Sequence, residues 1–162
     1  MEQPKLIKIS NHIDERGEVY GITQYIDEAF KDTIVDTRDL YRRIYTVENF
    51  QAGQIRAWHG HSVSSTIIHV IKGAAKILTY PFEGDILSTI EAKKKRIETF
   101  TLSEYSPGLV YVPSGYYNGH VSLMPGTIYL VMSSATIEQV KKDDVRMPWD
   151  SLGTECWEIS RK

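Results

Sequence analysis

Two histidines separated by one residue are the first groups in this sequence that could do chemistry. His59 and His61 flank Gly60, and on an extended strand side chains two positions apart leave the same face. Both imidazoles would then look into one space. Such a pair suits either metal binding or proton transfer near neutral pH. It equally fits two solvated side chains on an edge strand. Of the other histidines, His12 lies in the N-terminal arm, while His69 and His120 fall, like the pair, in segments that read as strands. The run Lys93-Lys94-Lys95-Arg96 sits beside Glu91 and Glu98 and reads as a solvated hairpin tip rather than an anion patch.

These groups need a scaffold, and the sequence points to an all-β one. Short runs rich in Val, Ile, Thr and Tyr are broken by Gly, Pro, Asn and Ser, the usual pattern of strands and turns. Strands are predicted over 5–9, 18–24, 42–49, 54–59, 65–72, 74–80, 96–102, 109–112, 119–123 and 127–133. Turn signals this closely spaced favour a barrel or sandwich over alternating strand and helix units. Lys72-Gly73 reads as a tight hairpin, and Pro107-Gly108 and Pro125-Gly126 as further turns. Helix is limited to one turn at 25–30 and another at 136–142, the latter with Thr136 as N-cap. The aromatic segment after Met147 is expected to pack back on the barrel, with Trp58, Trp149 and Trp157 serving as packing surfaces.

The chain has 162 residues, 41% of them hydrophobic and 25% charged, which fits one globular domain spanning 1–162. A formal charge of −2 offers no positive field for nucleic acid or an anionic membrane. No run approaches a membrane span, and Met1 to Ser10 does not read as a signal peptide. Cys156 is the single cysteine, so no disulfide organises the fold and a cytoplasmic location is expected.

Gly53, five residues and then His59-Gly60-His61 resemble the opening of the first cupin motif. Further on, Pro113-Ser114-Gly115-Tyr116-Tyr117-Asn118 resembles the second, with Asn118 where that motif has histidine. The resemblance implies a double-stranded β-helix, a jelly-roll barrel with both motifs at one mouth. A tightly held metal is not expected, because the motif's carboxylate falls at Thr66 and its last histidine at Asn118, which leaves too few good ligands.

A narrower likeness links the chain to the dTDP-4-dehydrorhamnose 3,5-epimerases. Asp14-Glu15-Arg16-Gly17 is similar to that family's Asp-x-Arg-Gly element and Arg56-Ala57-Trp58-His59 to its Arg-Gly-Leu-His segment. Val112-Pro113-Ser114-Gly115-Tyr116 is similar to its Ile-Pro-x-Gly-Phe, Thr127-Ile128-Tyr129 to its tyrosine strand, and the Trp149-Asp150 region to its Trp-x-Asp. The likeness implies an epimerase of a nucleotide-linked 4-keto sugar, working without a cofactor. His59 would be the base and Tyr129 the acid, on opposite sides of the sugar ring. Arg56 and Arg16 would hold the diphosphate. His61, Thr66, His69, Asn118 and His120 would complete the substrate-binding set. The early arginine would reach a neighbouring subunit, implying a homodimer that exchanges an arm formed by residues 1–25. Departures are also plain: Thr66 and His69 stand near the family's lysine and arginine, and its Leu-Ser-x-Lys-Asp segment, whose aspartate holds the base, has no counterpart before Lys162. His59-Gly60-His61 also resembles the paired histidines of nucleotide-sugar 3,4-ketoisomerases. A binding-only sugar cupin and a metal-dependent cupin enzyme are the remaining readings.

Overall fold

The central strands are covered on both faces, and the segment 108–112, buried throughout, accordingly runs apolar rather than alternating. The computed structural model describes residues 2–82 and 89–159. Within it, two five-stranded antiparallel sheets face each other. The first has the order β1 (Lys5–Lys8), β9 (Gly108–Val112), β6 (Thr66–Lys72), β11 (Thr127–Ser133), β4 (Arg43–Asn49). The second has the order β12 (Val145–Arg146), β5 (Ile55–His61), β10 (Tyr116–Ser122), β7 (Ala74–Pro81), β8 (Glu98–Ser103). From β4 to β7 and again from β9 to β12, successive strands alternate between the sheets, so the all-β double-stranded β-helix expected from the sequence is the fold. A separate hairpin pairs β2 (His12–Asp14) with β3 (Gly17–Val19).

Apolar side chains gather in three places. Between the sheets lie Ile68, Val70, Ile77, Val110, Tyr129 and Val131. On the outer face of the first sheet, Ile67, Leu109, Tyr111 and Met132 pack under helix α1 (Thr23–Phe30). Ile26 and Phe30, one turn apart on that helix, are both buried. On the outer face of the second sheet, Trp58, Leu78 and Val121 pack against Leu152 and Trp157 from the C-terminal segment. That segment does fold back on the barrel: Trp157 meets Trp58 at a centroid distance of 4.8 Å and donates its Nε1–H to the Trp149 carbonyl.

Several local expectations need correction. Lys72-Gly73 is not a hairpin, because β6 and β7 belong to opposite sheets. Gly73, at φ 80°, turns the chain from one sheet to the other. The strand predicted over 18–24 stops at Val19, and α1 starts at Thr23, since burial of Ile26 and Phe30 outweighs the local strand preference. Lys93 and Lys94 are not at a hairpin tip but in a short helix, α2 (Ile90–Lys94), capped by the Thr89 side chain. Lys94 pairs with Glu155 at 3.0 Å. The second predicted helix is α3 (Ile137–Asp143), and Thr136 caps it in a reciprocal arrangement with Gln139. Ser160-Arg161-Lys162 lie outside the described residues.

Candidate active site

The two sheets leave a cavity of about 390 Å³ near the edge formed by β4, β5 and β12, and both His59 and His61 line it. Their shared face is what the two-residue spacing predicts. Arg56 lines the same cavity, although it stands three residues before His59 and should face the other way. A β-bulge resolves the conflict. On β10, Asn118 and His120 are two residues apart; their partners on β5, His59 and Arg56, are three apart. The extra residue resets the alternation, so Arg56, His59 and His61 all point inward while Trp58 is buried on the outer face. Gly119 stands opposite the bulge, where a β-carbon would meet Ala57 at 2.4 Å.

Simple alternation sorts the other expected residues. On β6, Thr66 lines the cavity, whereas His69 faces outward. His69 donates from Nδ1 to the Gly108 carbonyl at 2.8 Å and lies 3.2 Å from the Tyr20 hydroxyl, a buried, satisfied histidine outside the site. On β10, Asn118 and His120 both line the cavity. Asn118 donates its amide to the His59 carbonyl at 3.1 Å. Burial, with Arg56 and His59 nearby, drives the His120 pKa down to about 3, so this imidazole is neutral at physiological pH.

Tyr129 is brought near the site but not into it. Its ring stacks on His120 at 4.1 Å, its side chain is fully buried, and its hydroxyl finds no hydrogen-bond partner among the described residues. Burial pushes the phenol far above its usual pKa. It does not line the cavity, which corrects its expected place facing the ligand. Arg16 is also elsewhere: it lies in the turn between β2 and β3, its side chain is 84% exposed, and it pairs with Asp14.

The cavity holds residues that the motifs did not mark. Arg43, Tyr45 and Val47 project into it from β4, so a phenol from the first sheet and two imidazoles from the second share one space. The Arg43 guanidinium lies 4.1 Å from the Tyr45 ring centroid. Burial raises the Tyr45 pKa, and Arg43 opposes the rise. Lys141 and Arg146 add positive charge to the lining, and among the described residues Asp144 is its one carboxylate, paired with Arg146 at 2.8 Å. Burial, then Arg146, holds the His59 imidazole below its usual pKa, and Asp144 acts in the opposite sense. Strand alternation on the predicted 42–49 segment would have placed Arg43 and Tyr45 on one face. No local signal marks the 141–146 region, because its position depends on contacts with β5.

The arrangement can bind an anionic ligand and move a proton. Nitrogen bases and a phenol, drawn from opposite sheets, suit removal of a C–H proton and its return elsewhere. Among the described residues, no three His, Cys, Asp or Glu side chains are grouped as a metal ion would require.

Neither a protein-family profile nor a curated protein matches the sequence. Solved structures do match its fold. A 3'-monoepimerase from Streptomyces bikiniensis, in complex with dTDP-quinovose, superposes with a TM-score of 0.75 at 14% identity, covering 95% of this chain and 75% of that one. The dTDP-4-dehydrorhamnose 3,5-epimerase of Bacillus anthracis, with TDP and PPi bound, gives 0.70 at 20% identity, covering 91% and 79%. A TDP-quinovose 3,4-ketoisomerase from Campylobacter jejuni gives 0.63 at 15% identity, covering 94% and 98%. At these identities the likeness establishes a shared barrel, and the chemistry must be argued from the residues in the cavity.

Proposed function

We propose that the protein is an isomerase that epimerises a nucleotide-linked 4-keto sugar by removing and returning a proton beside the ketone. The reading rests on one observation: His59 and His61 from one sheet and Tyr45 from the other line a single cavity whose charged groups are mostly cationic. An imidazole takes the proton, the ketone accepts the electron pair as an enolate, and a phenol can return a proton from the opposite side. Arg56, held through its Nε by the buried Asn49 side chain at 2.8 Å, supplies a fixed guanidinium for the diphosphate. The solved epimerases that share the barrel carry dTDP-quinovose or TDP in the structures named above, which supports a dTDP-type ligand. The same reading puts the enzyme in the cytoplasm, in the building of deoxysugars or cell-surface polysaccharide. It also includes a homodimer in which the exposed Arg16 hairpin reaches the partner's cavity.

Incubation with a dTDP-linked 4-keto hexose in deuterated water is the direct test. Deuterium at C3 or C5 with inverted configuration is the expected result; absence of any ring-proton exchange overturns the proposal. A second reading, 3,4-ketoisomerase, is favoured by the presence of His61 beside His59 in the cavity. Migration of the ketone in the same experiment would select it.

A further inference from the structure

The two imidazoles of the cavity differ in how they are held. The His59 ring makes no hydrogen bond to a described residue; Asn118 reaches only its main-chain carbonyl. His61 is fixed. Its Nδ1 lies 3.1 Å from the main-chain carbonyl oxygen of Asp143 and 3.8 Å from that residue's carboxylate. A carbonyl oxygen can only accept, so Nδ1 must carry the proton of this bond. In the neutral ring the lone pair is then on Nε2, and the ring lines the cavity.

Asp143 is itself immobilised. Its carboxylate accepts the main-chain N–H groups of Ser62, Val63 and Ser64 at 2.7, 3.2 and 3.2 Å, together with the hydroxyls of Ser62 and Ser64. Burial alone would raise its pKa, but these hydrogen bonds outweigh it and hold the carboxyl below its usual value. An ionised carboxylate therefore sits on the Nδ1 side of His61, tied to the loop that follows it. All these bonds are made within the protein, and Asp143 does not line the cavity.

We infer that Asp143 is a positioning residue that fixes His61 in its Nδ1–H tautomer, so that His61 Nε2 is the atom that takes the proton in the proposed isomerisation. The reaction step rests on the function proposed above; the tautomer does not. In that step the C–H bond beside the ketone breaks and its electron pair forms the enolate. The proton adds to Nε2, and the imidazolium is stabilised by the carboxylate beyond Nδ1.

The test uses the full-length protein labelled with 15N and long-range 1H–15N correlation of its histidine rings, with His61→Gln to assign the His61 signals. The ligand-free wild type is expected to show His61 as the Nδ1–H tautomer. In Asp143→Asn the new amide nitrogen cannot accept a hydrogen bond, so the loop loosens and the tautomers mix. Deuterium wash-in to the keto sugar should then fall roughly 10–100-fold in kcat, the size seen for outer partners of metal-bound imidazoles, with KM changed less than about threefold. Ser64→Ala, which removes a single hydroxyl donor, should show the same change in smaller degree and covers the case in which Asp143→Asn does not fold. His61→Gln should lose about 10²–10⁴-fold of the wash-in. An Nε2–H tautomer in the wild type, or an unchanged tautomer in both loop variants, overturns the positioning role. Wash-in retained in His61→Gln overturns the base. A wild type with the Nδ1–H tautomer but no wash-in sinks the proposed reaction, and the base with it, while the positioning by Asp143 stands.

Discussion

Adding one methyl group at Gly119 should destabilise the protein and disturb ligand binding together. The new β-carbon would lie 2.4 Å from the Ala57 β-carbon and 2.7 Å from a ring carbon of Trp157, whereas non-bonded carbons settle at about 3.5–4.0 Å. Neither neighbour has room to retreat. The Ala57 Cα is itself only 3.2 Å away, and Trp157 is buried against Trp58. Overpacking of this kind costs about 1–3 kcal/mol, which for a chain of this length lowers Tm by roughly 2–12 °C. The strain falls on the bulge that turns Arg56 and His59 into one cavity, so the chain can relieve it only by shifting one of them. Affinity for dTDP should then drop by about tenfold or more, the worth of roughly one charge-assisted hydrogen bond. Differential scanning calorimetry and titration calorimetry read the two effects. Ala57→Gly placed on top of Gly119→Ala removes the nearer clash and should recover part of both. A Gly119→Ala variant with the wild-type Tm and affinity would refute the argument that the bulge needs a bare backbone here.

Other expectations follow from the same cavity. Tyr45→Phe should lower turnover by about 10²–10⁴-fold while deuterium wash-in persists; joint loss of both would mean that Tyr45 does not act in proton return. Tyr129→Phe removes a buried hydroxyl without a partner, so denaturant unfolding should show stability unchanged or raised by about 1 kcal/mol, with turnover kept; abolished turnover would return the acid's role to Tyr129. His120 titrates at 6.5 in the unfolded chain and at about 3 when folded. Between those values the unfolded chain binds more protons, so stability falls as pH falls, by about 1.5 kcal/mol from pH 6.5 to pH 5 for this group. Burial lowers the pKa of His59 and His69 as well, which adds to the slope with the same sign. Urea unfolding at the two pH values should show a shallower dependence in His120→Phe, and an equal slope would contradict the burial argument.

The positions of several strands and the shared face of the cavity's two histidines were legible because side-chain alternation is a local property. The strands predicted over 42–49, 65–72 and 127–133 coincide with β4, β6 and β11 almost to the residue. Alternation also carries the failure of His69, which cannot share the face of Thr66 three positions earlier. Arg56 passed the motif comparison but not the alternation rule, and only the bulge opposite Gly119 reconciles the two. Tyr129 sits on an inward-facing position, so its direction was readable; its depth was not, because that depends on how His120 covers it. Asp143 was invisible for a different reason. Its partners, Ser62, Val63 and Ser64, are about eighty residues away in the chain, and an acidic residue at a helix end carries no local mark of such a contact.

Helix α3 has two duties. Ile137, Val140 and Lys141 form part of the cavity wall, and the final residue, Asp143, steers the His61 ring. A seven-residue helix is a stiff rod of about 10 Å, so pressure on one end is felt at the other. A ligand that fills the space squarely would leave the rod in place; one that is too bulky would tilt it and turn the His61 ring with it. The fit of the guest and the aim of the imidazole would thus travel through a single lever, so that selectivity in such a pocket could be exercised without any direct contact between the discriminating group and the imidazole.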